Sequence, residues 1–242
     1  MRNTLMTLSL LLLFASCHGI MDDIYDTPPA DGETGEEQLY VDASDWTLWH
    51  YIDLNTLSVS TYPIPMGEAE ATEPEAEQTG IYTYWYDVFG IGISKRERRS
   101  FVATESQPEP DSWHIAIHRN NVRTNGAVVH ETALTSMDDL PESSAAYADA
   151  DFHEDSWNET DVWTVQDKML QGIIGNQGIK VNTTLSSWLD VQLPPFPPSF
   201  TLNNHVFILR FNDGTYAALQ LVNYQSNKGV KCCLTINYKY PY

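Results

Sequence analysis

The stretch that most constrains the fold is the C-terminal run from His205 to Tyr242. His205-Val-Phe-Ile-Leu-Arg-Phe211 is almost wholly apolar and rich in strand formers, and Asn212-Asp-Gly-Thr215 holds an Asp-Gly pair suited to a two-residue hairpin. Tyr216 to Tyr224 returns, Ser226-Asn-Lys-Gly229 turns again, and Val230 to Tyr238 completes a three-strand meander. Strands this apolar belong inside a sheet with at least one face covered. Earlier segments must therefore pack onto them.

Those segments keep the same character. Trp46 to Ile52, Ser58 to Tyr62, Ile81 to Tyr86 and Phe101 to Thr104 are short, aromatic-rich strand patterns separated by turn signals. Trp113 to His118 alternates, with Trp113, Ile115 and Ile117 on one face and His114, Ala116 and His118 on the other. One helix is expected, Asp138 to Ala150, with an acidic start, Pro141 in the first turn and several alanines after it. Gly172 to Gly178 is a glycine-rich piece with no assigned strand, and Pro194-Pro-Phe-Pro-Pro198 is a rigid spacer into the meander. The fold class expected is all-β: a single, mostly antiparallel β domain with at most one or two short helices.

The N-terminus is set apart from that domain. Arg2, the apolar run Leu5 to Phe14 and Ala15-Ser16-Cys17 have the form of a bacterial lipoprotein signal, residues 1–16, with Cys17 as the lipidated residue. The apolar run is too short to span a membrane, which takes about 20 residues. Residues 17–38 form an acidic flexible tether, and the β domain occupies 39–242. Gly67 to Gly80 is a second acidic stretch, expected as a long loop. A net charge of −20 leaves no basic surface for nucleic acid or an anionic membrane; the membrane contact is the lipid alone.

Reactive groups are sparse. No nucleophile elbow, His-Glu-x-x-His or P-loop is present, and Gly90-Ile-Gly-Ile-Ser94 lacks the third glycine of a dinucleotide site, so the chain is not read as an enzyme. Cys232 and Cys233 are adjacent and point to opposite faces of a strand, which suits small apolar fillers better than a disulfide. His114 and His118, four positions apart on one strand face, are a weak metal pair. The methionines are more informative. Met137, in Thr135-Ser-Met-Asp-Asp139, and Met169, in Gln166-Asp-Lys-Met-Leu170, lie among polar neighbours, an unusual place for core fillers.

Phe211-Asn-Asp-Gly-Thr-Tyr-Ala-Ala-Leu-Gln-Leu221, Lys231-Cys-Cys-Leu-Thr-Ile-Asn-Tyr-Lys-Tyr-Pro-Tyr242, Trp113-His-Ile-Ala-Ile-His-Arg119 and Arg123-Thr-Asn-Gly-Ala-Val-Val129 resemble the HmuY family, haem-binding lipoproteins (hemophores) of Bacteroidetes. The resemblance implies haem b held between two axial loop ligands, two His or two Met according to the member. The first follows the Arg-Thr-Asn-Gly block and the second lies some thirty residues on. Met137 is 11 residues past Gly126 and Met169 is 32 past Met137, so these two take the ligand positions; His130 and His153 are the rivals. Thioethers are soft and neutral and favour ferrous iron. The resemblance further implies an outer-membrane, surface-exposed or released protein that takes haem, from host haemoproteins among other sources, and passes it to a TonB-dependent receptor. A surface glycan-binding or adhesive β module without haem is the alternative that composition alone supports equally well.

Overall fold

The computed structural model describes residues 34–35, 37–65, 77, 79–87, 97–103, 106–193 and 196–242, with only the backbone described for 97–103 and Val165. Cys17, the signal, most of the tether, most of the acidic stretch after Met66 and the Gly90-to-Ser94 segment lie outside the described residues.

Three antiparallel sheets stack into a sandwich. The C-terminal sheet runs β1 (Gln38–Asp42), β16 (Lys231–Lys239), β15 (Tyr216–Gln225), β14 (Phe207–Arg210) and β8 (Val128–Glu131). A middle sheet runs β3 (Ser58–Pro63), β2 (Leu48–Asp53), β6 (Ile115–His118) and β7 (Asn121–Thr124). The third runs β10 (Trp163–Val165), β11 (Ile173–Val181), β4 (Gly80–Trp85) and β5 (Glu97–Ala103), with β9 (Ser156–Asn158) also paired to β11. A hairpin, β12 (Leu189–Gln192) with β13 (Ser199–Leu202), one α-helical turn, α1 (Thr183–Ser186), and three 3-10 turns complete the described elements. No helix among the described residues is long and apolar enough to cross a membrane.

The meander is where the sequence places it, and β15 has a partner on each side. Leu39, Val41, Phe207, Leu209, Leu219, Leu221, Leu234 and Ile236 point inward against Ile52, Ile115 and Ile117 of the middle sheet, and all are buried. The middle sheet is covered again on its other face. There Trp49, Tyr51, Trp113 and Ala116 meet Ile81, Ile179 and Val181 of the third sheet. Fully burying side chains of this size contributes roughly 1.5–3 kcal/mol each, so the two cores hold the three layers together.

Four local expectations are corrected. The first hairpin turn is longer than two residues: Phe211 N donates to Thr215 O at 2.9 Å, and Gly214 takes φ +85° inside a three-residue loop. The helix expected over Asp138–Ala150 is two separate 3-10 turns, Met137–Asp139 and Ser144–Tyr147, capped by the hydroxyls of Ser136 and Ser143. Pro141 breaks it, because the residue before a proline is pushed out of the helical region; Leu140 is extended at ψ 136°. Gly172–Gly178 belongs largely to β11. Its Gly178 is a packing requirement rather than a turn: a Cβ there would lie 2.4 Å from the Tyr82 ring and 2.9 Å from Trp157. Finally, Trp113 joins Ala116 on the third-sheet side, while His114 faces Phe211 and Tyr240 at 5.1 and 5.0 Å. His118 packs on Trp49 at 5.4 Å, so the two histidines occupy opposite faces and do not form a metal pair.

Candidate functional site

Two cavities lie at opposite ends of the sandwich. One, of about 600 Å³, is lined by Trp46, Tyr86, Trp163, Met169, Val191, Phe200, Arg119 and Cys232, among others. The other, of about 1220 Å³, is lined by Leu54, Leu57, Met137, Gln220, Tyr238, Tyr240 and several polar side chains. Strand β16 reaches both, Cys232 at one and Tyr238 at the other. Six strand steps of 3.3–3.4 Å put that separation at about 20 Å.

The smaller cavity has the character of a site for a flat apolar ligand. Trp46 and Trp163 stack with centroids 6.2 Å apart and planes 16° from parallel. Phe200 stacks on Tyr224 at 5.8 Å and 11°, and the hairpin β12–β13 contributes Leu189, Val191 and Phe200 to the wall. Its size and its mixture of aromatic surface with a few polar groups are those of small-molecule sites. Met169 sits in a one-turn 3-10 helix, Met169–Gln171, against Tyr82, Tyr84, Tyr86 and Ile174. The turn is firmly made: Met169 N to Gln166 O is 2.9 Å and Gly172 N to Met169 O is 2.8 Å. Gly172 ends it at φ +74°, where a Cβ would meet Tyr86 O at 2.3 Å.

His118 supports this end from behind. Its Nε2 is 2.9 Å from Trp46 O, which fixes the backbone of a cavity-wall residue. The ring is fully buried, and desolvation lowers its pKa to about 4, so it is neutral at pH 7 and Nε2–H is the donor. Cys232 and Cys233 are both buried free thiols. Burial pushes the Cys232 thiol up to about 11 against the pull of Arg119, so it is not a thiolate nucleophile. Among the described residues, no group of three or more His, Cys, Asp and Glu could hold a metal ion.

Met137 is placed elsewhere. It packs with Leu134, Leu140, Tyr147, Phe152, Tyr216 and Tyr242 on the outer face of the C-terminal sheet, over Val206, Ile208 and Ala218. Gln220 ties the approach to this turn, donating to Thr135 O and Asn204 O at 2.8 Å each. The turn itself is looser, with bonds of 3.2–3.3 Å. The two rival histidines are near this face and line neither cavity. His130 lies 6.0 Å from Tyr147 and 5.7 Å from Phe152. His153 is bridged to Val129, and its Nε2 is 3.7 Å from Asp151. The structure therefore brings Met169 to an aromatic cavity and does not bring Met137, His130 or His153 to the same place.

The Arg123-Thr-Asn-Gly126 block is a structural turn. Arg123 pairs with Glu109 at 2.8 Å, Thr124 N and Oγ1 donate to Asp155, and Asn125 holds Trp113 O. The cavity residues Trp46, Arg119, Trp163, Phe200 and Cys232 were not singled out as site residues by sequence. Arg119 alone left a signal, a cation directly after an apolar strand.

Comparison with known proteins supplies the rest. The HmuY protein family model matches residues 45–238. A structure from Bacteroides vulgatus, provisionally named an HmuY-like heme binding protein, is 30% identical with TM-score 0.62, covering 85% of this chain and 91% of that one. A provisionally named lipoprotein of Bacteroides fragilis is 29% identical with TM-score 0.61, covering 85% and 89%. The apo HmuY analog of Tannerella forsythia, 21% identical with TM-score 0.57 over 87% and 97%, shares the fold. No functionally curated protein matches the sequence. With four-fifths of its length inside the family model, this chain belongs to the HmuY family.

Proposed function

We propose that the chain captures haem in the smaller cavity, with the Met169 thioether as an axial ligand. The observation behind this is the meeting of Met169 with a stacked aromatic wall inside an HmuY-family fold. The family name of the Bacteroides vulgatus relative points the same way. A neutral sulfur ligand in an apolar wall favours ferrous over ferric iron.

Met137 is the second ligand in this proposal. Its turn must then leave the outer face of the C-terminal sheet, since it starts at the other cavity. The bonds of the turn are 3.2–3.3 Å long. His130 and His153 are the rival second ligands. We further propose that residues 1–16 are removed, that Cys17 bears the lipid, that 17–38 tether the domain at the outer membrane, and that haem b is passed to a TonB-dependent receptor.

Absorption titration with haem, with and without dithionite, tests the reading. A Soret band with sharp α and β bands on reduction is expected. The Met137→Ala, Met169→Ala double variant should lose the six-coordinate spectrum. No spectral change on adding haem would leave the glycan-binding or adhesive reading in its place.

A further inference from the structure

Arg119 occupies a position that its backbone disfavours. It is the first residue of the two-residue loop between β6 and β7, whose flanking pair is His118 with Asn121, and its φ is +58°. Glycine is the usual occupant when the first loop residue has positive φ. A bulky side chain there is backbone strain of the sort that collects at ligand sites.

The Arg119 side chain makes two contacts within the fold. Its guanidinium lies over Trp46, 4.0 Å from the ring centroid, and Nη1 donates to Ser44 O at 2.6 Å. No carboxylate is within ion-pairing distance of it among the described residues. The two carboxylates on the cavity wall are turned to other partners. Asp161 accepts from Asn158 and Thr160, and Asp190 from Gln192. Asp45 acts on it only through space and accepts from Thr47, so the partly buried guanidinium has no directly bonded counter-ion among the described residues. Desolvation accordingly draws its pKa below the ordinary arginine value. Trp46 lies under the guanidinium, and Arg119 is part of the cavity lining.

We infer that Arg119 is the carboxylate-recognition residue of the Met169 cavity: it pairs with an acidic side group of a flat aromatic ligand whose ring system lies against Trp46 and Trp163. Arg–carboxylate pairs of this kind are bidentate and orienting. The ligand class is then a macrocyclic or polycyclic aromatic acid, and the esterified form of the same ring is rejected. This rests on the haem reading above but uses no iron ligand, so the two fail separately.

The test compares protoporphyrin IX with its dimethyl ester, and haem with haem dimethyl ester, on the wild type, Arg119→Gln and Arg119→Gly. Wild type is expected to bind each diacid at least tenfold more tightly than its diester. In both variants that ratio falls to about one, through loss of diacid affinity with diester affinity unchanged. Arg119→Gly suits the turn and keeps the protein folded if the Gln variant does not. Equal binding of diacid and diester by wild type overturns the inference while leaving haem capture standing. So does an equal loss for both forms in the variants, or unfolding of both variants, because Arg119 is then structural. If wild type binds neither iron porphyrin, haem capture itself falls, and this inference with it.

Discussion

The Met169 cavity and the Met137 cavity sit at the two ends of the same strands and are made of different material. The first has two stacked indoles, a guanidinium over one of them, and a methionine on a tightly bonded turn. The second is wider and more polar, with its methionine on a loosely bonded turn tied down by Gln220. Preorganised apolar walls lower the ordering cost of binding, and loose turns raise it. On the proposed reading, the first end is then the docking site for an aromatic ring, and the second end supplies the second ligand's turn.

The largest effect expected would abolish both ends together. Truncation before Val230 removes β16, which borders both cavities and covers β15, and exposes an apolar strand edge. The truncated chain should be insoluble; a soluble, haem-binding product would show that the ends do not share a frame.

Acid should separate the ends next. His118 titrates near 6.5 when unfolded and near 4 when folded, so the unfolded chain binds the extra proton between those values. Stability contributed by the neutral ring is full above pH 6.5 and is lost as pH falls toward 4, by about 3 kcal/mol. Urea midpoints from pH 8 to 4 should drop accordingly, with a flatter profile in His118→Gln. Equal slopes in the two proteins would remove His118 as the support of the Trp46 end.

Methionine substitutions sharpen the contrast. Met169→Ala should weaken ferrous haem at least tenfold, about 1.4 kcal/mol, while some haem remains through burial of the ring. Met137→Ala should cost less, and neither should move Tm by more than about 3 °C, since both side chains are only partly buried. If Met137→Ala is the more damaging, the ranking of the two ends is reversed. If both Ala variants bind reduced haem like wild type, and His130→Ala or His153→Ala does not, the methionine ligands are wrong. Replacing both methionines by His should move the preference toward ferric haem.

The smallest effect belongs to the anchor. Cys17→Ala should release the protein from the membrane fraction with the haem titration unchanged; a variant still in the membrane would count against lipidation.

The sandwich was legible because near-continuous apolar runs report burial directly, as in the strands from Phe207 onward. What it could not report was how many faces a strand buries. Trp113 to His118 looks one-sided in sequence, yet the middle sheet is covered twice. The cavity that Met169 lines was less legible than the fold. Methionines among polar residues mark loops, but which loops share a cavity depends on long-range stacking, and Trp46 with Trp163 lie 117 positions apart. Glycine misled for a similar reason, because Gly178 answers to Tyr82 and Trp157 rather than to its own turn.

The pairing of β1 with β16 has a mechanical consequence. Five register pairs, from Gln38 with Asn237 to Asp42 with Cys233, join the first described strand to the last. A pull arriving along the chain from residues before Thr34 loads this ladder first, at the sheet with the largest buried core. The turns bearing Met137 and Met169 lie off that line of force. A domain tugged at its N-terminus would thus take the load through β1 and β16, the frame that borders both cavities.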